Sequence, residues 1–152
     1  MSKIISHNFE KTRNLGKKIS EKLQGGEIFC LSGELGSGKT TFSQGLLEGL
    51  GAKGPYTSPT FLVMKEYNLK ISNFKFQISN KNPKVKIRKV YHIDTYRVFA
   101  KDILDLGFEE IINNPKNVII IEWPERIQKI VPKKAQWIYF KWKSENEREI
   151  VI

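Results

Sequence analysis

Gly33-Glu34-Leu35-Gly36-Ser37-Gly38-Lys39-Thr40 fills every fixed position of the pattern G-x-x-x-x-G-K-[ST], and a segment of that kind has few structures open to it. Before it, Glu27 to Ser32 is apolar and compact enough for a buried strand. After it, Phe42, Leu46, Leu47 and Leu50 recur at helical spacing and stop at Gly51, a residue suited to the left-handed turn past a helix end. A strand, a glycine-rich loop and a helix N-terminus together make an anion site. Backbone N–H groups from Gly36 to Thr40 can converge on a phosphate, and the helix dipole favours negative charge there. In such a loop the lysine, Lys39, bridges the β- and γ-phosphates of a nucleotide, and the hydroxyl, Thr40, holds Mg²⁺. Nucleotide contacts are therefore expected from Glu34, Leu35, Gly36, Ser37, Gly38, Lys39, Thr40 and Thr41. The plainer alternative is a glycine turn capped by a helix; a bare match occurs by chance, but one between a predicted strand and a predicted helix in the first third of an α/β chain rarely does.

A chain of 152 residues predicts one domain over 1–152, with enough length to bury a core. No apolar run approaches the roughly 20 residues a membrane helix needs, so no membrane contact is expected. The segment from Met1 to His7 lacks the apolar stretch and cleavage site of a signal peptide, and cytoplasm is the expected compartment. The single cysteine, Cys30, falls in the predicted first strand and reads as a core residue. Two histidines and one cysteine argue against structural zinc.

The net charge of +10 is unevenly placed. Asn68 to Lys89 holds seven basic residues and no acidic one, and without them the chain carries only +3. Ile71-Ser72-Asn73-Phe74 and Ile78-Ser79-Asn80 form a near-repeat in that segment. It reads as a basic insertion within a predicted hairpin, solvated or partly disordered, with RNA phosphates as the sharper alternative partner.

Elsewhere the chain alternates between strand and helix patterns. Phe9, Thr12, Leu15, Ile19 and Leu23 predict a helix capped by Ser6 or Asn8 and ended by Gly25-Gly26. Phe61 to Tyr67 and Val90 to Asp94 read as strands, and Asp102 to Ile112 as one short helix. Asn117 to Glu122 is apolar enough for a central strand, and Pro124 to Ile130 suits a helical turn. Gln136 to Trp142 alternates, placing Ile138, Phe140 and Trp142 on one face, and Arg148 to Ile152 supplies a last strand. The pattern predicts an α/β fold: a mostly parallel central sheet flanked by helices, with antiparallel C-terminal edge strands.

A phosphate cradle alone binds; hydrolysis also needs a second metal anchor and something to position the nucleophile. Asp94 and Glu122 each end a predicted strand, where α/β sheets present their ligand residues. At least one is expected to reach Mg²⁺. Either acid alone would read as a helix cap or a solvated loop residue. Thr57-Ser58-Pro59-Thr60 is a hydroxyl-rich extended loop that could touch the γ-phosphate. His92 shares a strand face with Asp94 and reads first as a structural histidine; Trp123 could pack at the sheet edge or lie against the nucleotide site, and Arg97 and Arg126 could supply transition-state charge but read first as surface residues.

Taken in order, Gly33 to Phe42, Ser58-Pro59-Thr60-Phe61, His92-Ile93-Asp94-Thr95-Tyr96-Arg97, Leu106-Gly107-Phe108-Glu109-Glu110 and Ile121-Glu122-Trp123-Pro124-Glu125-Arg126 closely resemble the TsaE (YjeE) family. That family comprises small P-loop ATPases of bacterial tRNA threonylcarbamoyladenosine synthesis, and the resemblance runs from about Phe9 to Pro132. It implies a P-loop NTPase fold that binds ATP and Mg²⁺ and hydrolyses ATP slowly. It also implies action with the TsaB and TsaD proteins, with tRNA reached indirectly through their complex and no role for DNA. By matching position it gives Lys39 and Thr40 the phosphate and metal roles, Glu122 the second metal role, and Asp94 a catalytic or metal-linked role. Thr12 is placed near the nucleotide base. Asn68 to Lys89 departs from the family in length and charge.

Other classes fit less well. A small-molecule kinase needs an acceptor pocket and lid for which little length remains. A GTPase needs Asn-Lys-x-Asp, and Asn80-Lys81-Asn82-Pro83 has proline where aspartate is required. A basic RNA-binding module that uses ATP only structurally is the non-enzymatic alternative.

Overall fold

The computed structural model describes residues 2–69 and 87–152, so the near-repeat of the basic insertion lies outside the described residues. Seven strands form one sheet: β1 (Lys3–Ser6), β2 (Ile28–Gly33), β3 (Met64–Asn68), β4 (Lys89–Asp94), β5 (Asn117–Glu122), β6 (Gln136–Trp142) and β7 (Arg148–Val151), in the order β1-β7-β6-β2-β5-β4-β3. The four central strands β6, β2, β5 and β4 are parallel, while β3 at one edge and β7 and β1 at the other are antiparallel. The expected mostly parallel sheet is present, with antiparallel strands closing both edges.

The centre is parallel because its strands can be buried on both faces. Every residue of β5 is buried, and Ile28 to Leu31 of β2 are at most 1% exposed. One face is covered by α1 (Phe9–Ser20) and α2 (Lys39–Gly49), which gather Phe42, Leu46 and Leu47 against Phe29, Leu31 and Ile120. The other is covered by α3 (Ala100–Asp105), α4 (Phe108–Asn113) and a 3₁₀ segment, Pro124–Ile130, enclosing Ile103, Phe108 and Ile127 over Ile93, Ile119 and Ile121. Burial pushes the Cys30 thiol up to about 12, aided by the nearby Glu125 charge, so this core cysteine stays protonated.

The two long helices touch almost backbone to backbone. Gly16 of α1 lies against Phe42 O and Leu46 N, and Gly45 of α2 lies against Arg13 O; a Cβ at either position would collide with main chain. Asn8 caps α1 by accepting from Lys11 N at 2.9 Å. Gly51, with φ of 73°, takes the left-handed conformation expected past the end of α2.

Several elements differ from expectation, each for a local reason. β1 was not legible: four residues gain strand structure only by pairing with β7, far away in sequence. α1 ends at Ser20 rather than near Leu23, and Phe9 is 67% exposed instead of joining its apolar face. β3 begins at Met64 because the chain turns first, with Leu62 N donating to Pro59 O and Val63 at positive φ. The helix expected over Asp102 to Ile112 is broken in two by Gly107, whose φ of 79° no right-handed helix accommodates. Trp142 is exposed, because β6 has run past the core by that point.

Candidate nucleotide site

The C-terminal ends of β2, β4 and β5 meet at one edge of the sheet, and their register fixes what meets there. Asp94 lies opposite Glu122 in the parallel β4–β5 pair, while Leu31 of β2 lies opposite Glu122 on its other side. β2 then runs directly into the glycine loop. Gly33 (φ 149°) passes so close to Phe140 O that a side chain would not fit, and Gly36 (φ 74°) and Gly38 (φ 103°) take conformations that favour glycine. Gly38 is the N-cap of α2, so the helix N-terminus opens onto the same place.

The result is a cleft of about 540 Å³, whose walls include Thr12, Leu35, Gly36, Ser37, Gly38, Lys39, Thr40, Thr41, Asp94 and Glu122. Of the residues nominated from the glycine loop, Glu34 turns its side chain elsewhere: Oε1 accepts from Trp142 N at 3.0 Å, at the end of β6.

Lys39 is 5% exposed and donates to Gly33 O at 2.6 Å and Glu34 O at 2.9 Å, with Nζ 3.9 Å from the centroid of the Trp123 ring. Burial pushes its ammonium below the ordinary lysine value, against the pull of Glu122, Glu125, Asp94 and Glu34. A cation held this way, by carbonyls and an aromatic face, is suited to an incoming anion. Ser37 Oγ is buried with no partner among the described residues, a second polar group of the loop left for a ligand.

Glu122 is almost wholly buried and well provided with donors. Thr40 Oγ1 donates to Oε2 at 2.9 Å, Ser43 Oγ approaches Oε1 at 3.2 Å, and His92 Nε2 lies 2.7 Å from Oε1. Burial would raise this carboxyl, but hydrogen bonding and charge from His92, then Thr40 and Lys39, outweigh it and hold the group below the ordinary glutamate value. An ionised carboxylate accepts hydrogen bonds and donates none, which suits it to hydroxyl and ring N–H partners. Asp94 is committed differently: Oδ2 accepts from Thr60 Oγ1 at 2.7 Å and Oδ1 from Tyr96 N at 2.8 Å. The hydroxyl loop is therefore tied to the cleft through Thr60, and Ser58 lines it as well.

These donors suit Mg²⁺. Among the described residues no cluster of three or more His, Cys, Asp or Glu side chains forms a metal cage. Mg²⁺ is characteristically held by one or two protein oxygens, the substrate phosphates and water. The Thr40 hydroxyl and Glu122 carboxylate, already 2.9 Å apart, are oxygens that could serve that arrangement, and Asp94, opposite Glu122 in the sheet, is a further carboxylate lining the cleft.

Some of the cleft was not foreseen. Arg148, on β7, donates from Nε to Gly36 O at 3.0 Å and from Nη1 to Ser144 O and Glu147 O, which braces the loop from the opposite end of the chain. Asn146 and Phe9 line the cleft too. Nothing in local sequence links Arg148 to Gly36. Ser43, by contrast, had a signal: it follows Thr40 by three residues, one turn along the same helix face. Trp123 proves to be a cleft residue with φ of 61°, its ring 4.9 Å from that of Tyr96. Arg97 lines the cleft too, whereas Arg126 lies beside the Phe99 ring.

A family model described as threonylcarbamoyl adenosine biosynthesis protein TsaE matches residues 6–150. The chain belongs to the TsaE family. It is 33% identical over 145 residues to the tRNA threonylcarbamoyladenosine biosynthesis protein TsaE of Bacillus subtilis, covering 95% of this chain and 80% of that one. The protein of the same name from Borreliella burgdorferi is 39% identical over 125 residues, covering 82% and 79% of the two chains. The crystal structure of YdiB from Bacillus subtilis superposes with a TM-score of 0.74 at 28% identity, covering 98% of this chain and 82% of that one. The family match therefore runs from the end of β1 into β7 and is not confined to the glycine loop.

Proposed function

We propose that this TsaE-family chain is a slow, Mg²⁺-dependent ATPase that serves threonylcarbamoyl modification of the adenosine adjacent to the anticodon in tRNA, acting in the cytoplasm with TsaB and TsaD. The observation that carries the ATPase reading is the meeting of Thr40 and Glu122: the loop hydroxyl donates to the strand-end carboxylate at 2.9 Å, beside the buried Lys39. ATP takes the cleft with its phosphates on Gly36 to Thr41 and its base toward Thr12. Lys39 would neutralise the phosphates, and Thr40 and Glu122 would hold Mg²⁺, whose contribution when bound would be to offset charge on the phosphate oxygens. Asp94 keeps the Thr60 loop over the reacting end.

The rim of the cleft supports a role with protein partners. Phe61 is 86% exposed and Leu62 70%, next to Arg97, whose guanidinium lies 5.6 Å from the Phe61 ring. Their loop is bonded to Asp94 through Thr60, so an apolar surface is mechanically linked to the phosphate end of the cleft. TsaB and TsaD are the partners implied by family membership, and a pull-down against both with ATP, ADP or no nucleotide tests that part.

The ATPase reading is tested by Lys39→Ala. It should abolish productive ATP binding and lower hydrolysis by a factor of about 10² or more, while thermal unfolding shows a folded domain. Wild-type turnover in that variant would remove the site assignment.

A further inference from the structure

We propose that His92 is a positioning residue for Glu122: it anchors one carboxylate oxygen so that the other is presented to a magnesium ion at Thr40, an inference that rests on the Mg²⁺·ATP reading above. The two oxygens of Glu122 have different surroundings. Oε2 accepts from Thr40 Oγ1, the hydroxyl on the metal side, at 2.9 Å. Oε1 faces protein, with His92 Nε2 at 2.7 Å and Ser43 Oγ at 3.2 Å. Ser43 is the weaker anchor, because its one hydroxyl proton is shared with Lys39 O at 3.0 Å.

His92 is undivided. Its side chain is 1% exposed, and Nδ1 has no partner among the described residues, so the bond to Glu122 is the polar contact found for this buried ring. Burying an imidazole with one nitrogen unmatched costs stability. An apolar side chain on β4 would avoid that cost, as Val90 and Ile93 do, but it could not hold a carboxylate. Register completes the geometry: His92 lies opposite Ile120 and Asp94 opposite Glu122, so the imidazole reaches the acid from one pleat behind the cleft. Fixing Oε1 denies the carboxylate the rotation that would carry Oε2 away from Thr40. Partners behind a metal ligand typically set affinity by about 10- to 100-fold.

The test compares His92→Gln, His92→Asn and Glu122→Gln in the full chain. Binding of a non-hydrolysable ATP analogue is measured by calorimetry with and without Mg²⁺, and thermal unfolding is followed in parallel. The glutamine amide nitrogen can stand where imidazole Nε2 stands, whereas the asparagine amide reaches only to the unused Nδ1 position. His92→Asn should therefore lose about 10-fold or more of the Mg²⁺-dependent gain in affinity, His92→Gln should retain most of it, and metal-free affinity should be unchanged in both. Equal losses in Gln and Asn, or a lowered melting temperature with the Mg²⁺ gain intact, would assign His92 to packing and overturn the proposal. If Glu122→Gln itself keeps the full Mg²⁺ gain, the metal role of Glu122 fails, and the proposal fails with it.

Discussion

Glu122 is served by two elements: Thr40, Ser43 and the Lys39 charge from the first turns of α2, and His92 from β4. Glu122→Gln preserves shape but removes the charge, so it should weaken Mg²⁺-dependent hydrolysis far more than metal-free nucleotide binding. Superimposable Mg²⁺ titration curves for the two proteins would make Glu122 structural. Asp94→Asn acts through its own contacts: an amide nitrogen in place of Oδ2 cannot accept the Thr60 proton, so turnover should fall as the hydroxyl loop loosens. These residues were legible because their signals are local, a fixed motif and two strands that each end in an acid. Arg148 was not legible, since its bond to Gly36 spans 112 positions and arises only when β7 folds back beside β6.

At the scale of elements, the α1–α2 contact is exacting, because it is made by glycines and leaves no room for a methyl group. Alanine in place of a helix-interior glycine ordinarily gains up to about 1 kcal/mol from propensity. At Gly45 the new Cβ would collide with Arg13 O and crowd Arg13 C at 2.8 Å, and overpacking of this kind costs about 1–3 kcal/mol. The clash should win. Gly45→Ala should lower the urea midpoint, and a midpoint at or above wild type would show that the helices separate freely. Periodicity revealed that both helices exist and which apolar residues face inward, since Leu46, Leu47 and Leu50 recur at 3.6-residue spacing. It gave no hint of the close approach, because a glycine in a helical pattern says nothing of what lies opposite. The same limit explains the break at Gly107: apolar spacing runs on through Phe108, Ile111 and Ile112, and only the backbone angle separates α3 from α4.

At the scale of the whole molecule, what remains is how much of the basic segment the fold needs. Its flanks belong to the structure. Leu69 N donates to Arg88 O and Arg88 N to Lys116 O, Ile87 is 2% exposed in the core beside Val90 and Val118, and Lys89 pairs with Glu66 at 2.9 Å. The dispensable stretch is thus narrower than Asn68 to Lys89, and residues 70–86 are the ones to remove. Asn68 opposite Lys89 already places the ends of β3 and β4 side by side, so a short glycine-containing turn can close the hairpin. Closure entropy grows only as the logarithm of loop length, about 0.6 kcal/mol per doubling, so stability should change little. ATP hydrolysis should also survive, since Asp94 and Glu122 lie at the ends of β4 and β5 opposite to Lys89 and Asn117, and Lys39 and Thr40 line the same cleft as those two acids. If the lysines removed touch tRNA, the same replacement should lower RNA affinity in filter binding and flatten its salt dependence. A folded replacement variant that no longer hydrolyses ATP would show that the segment reaches across to the cleft as a lid.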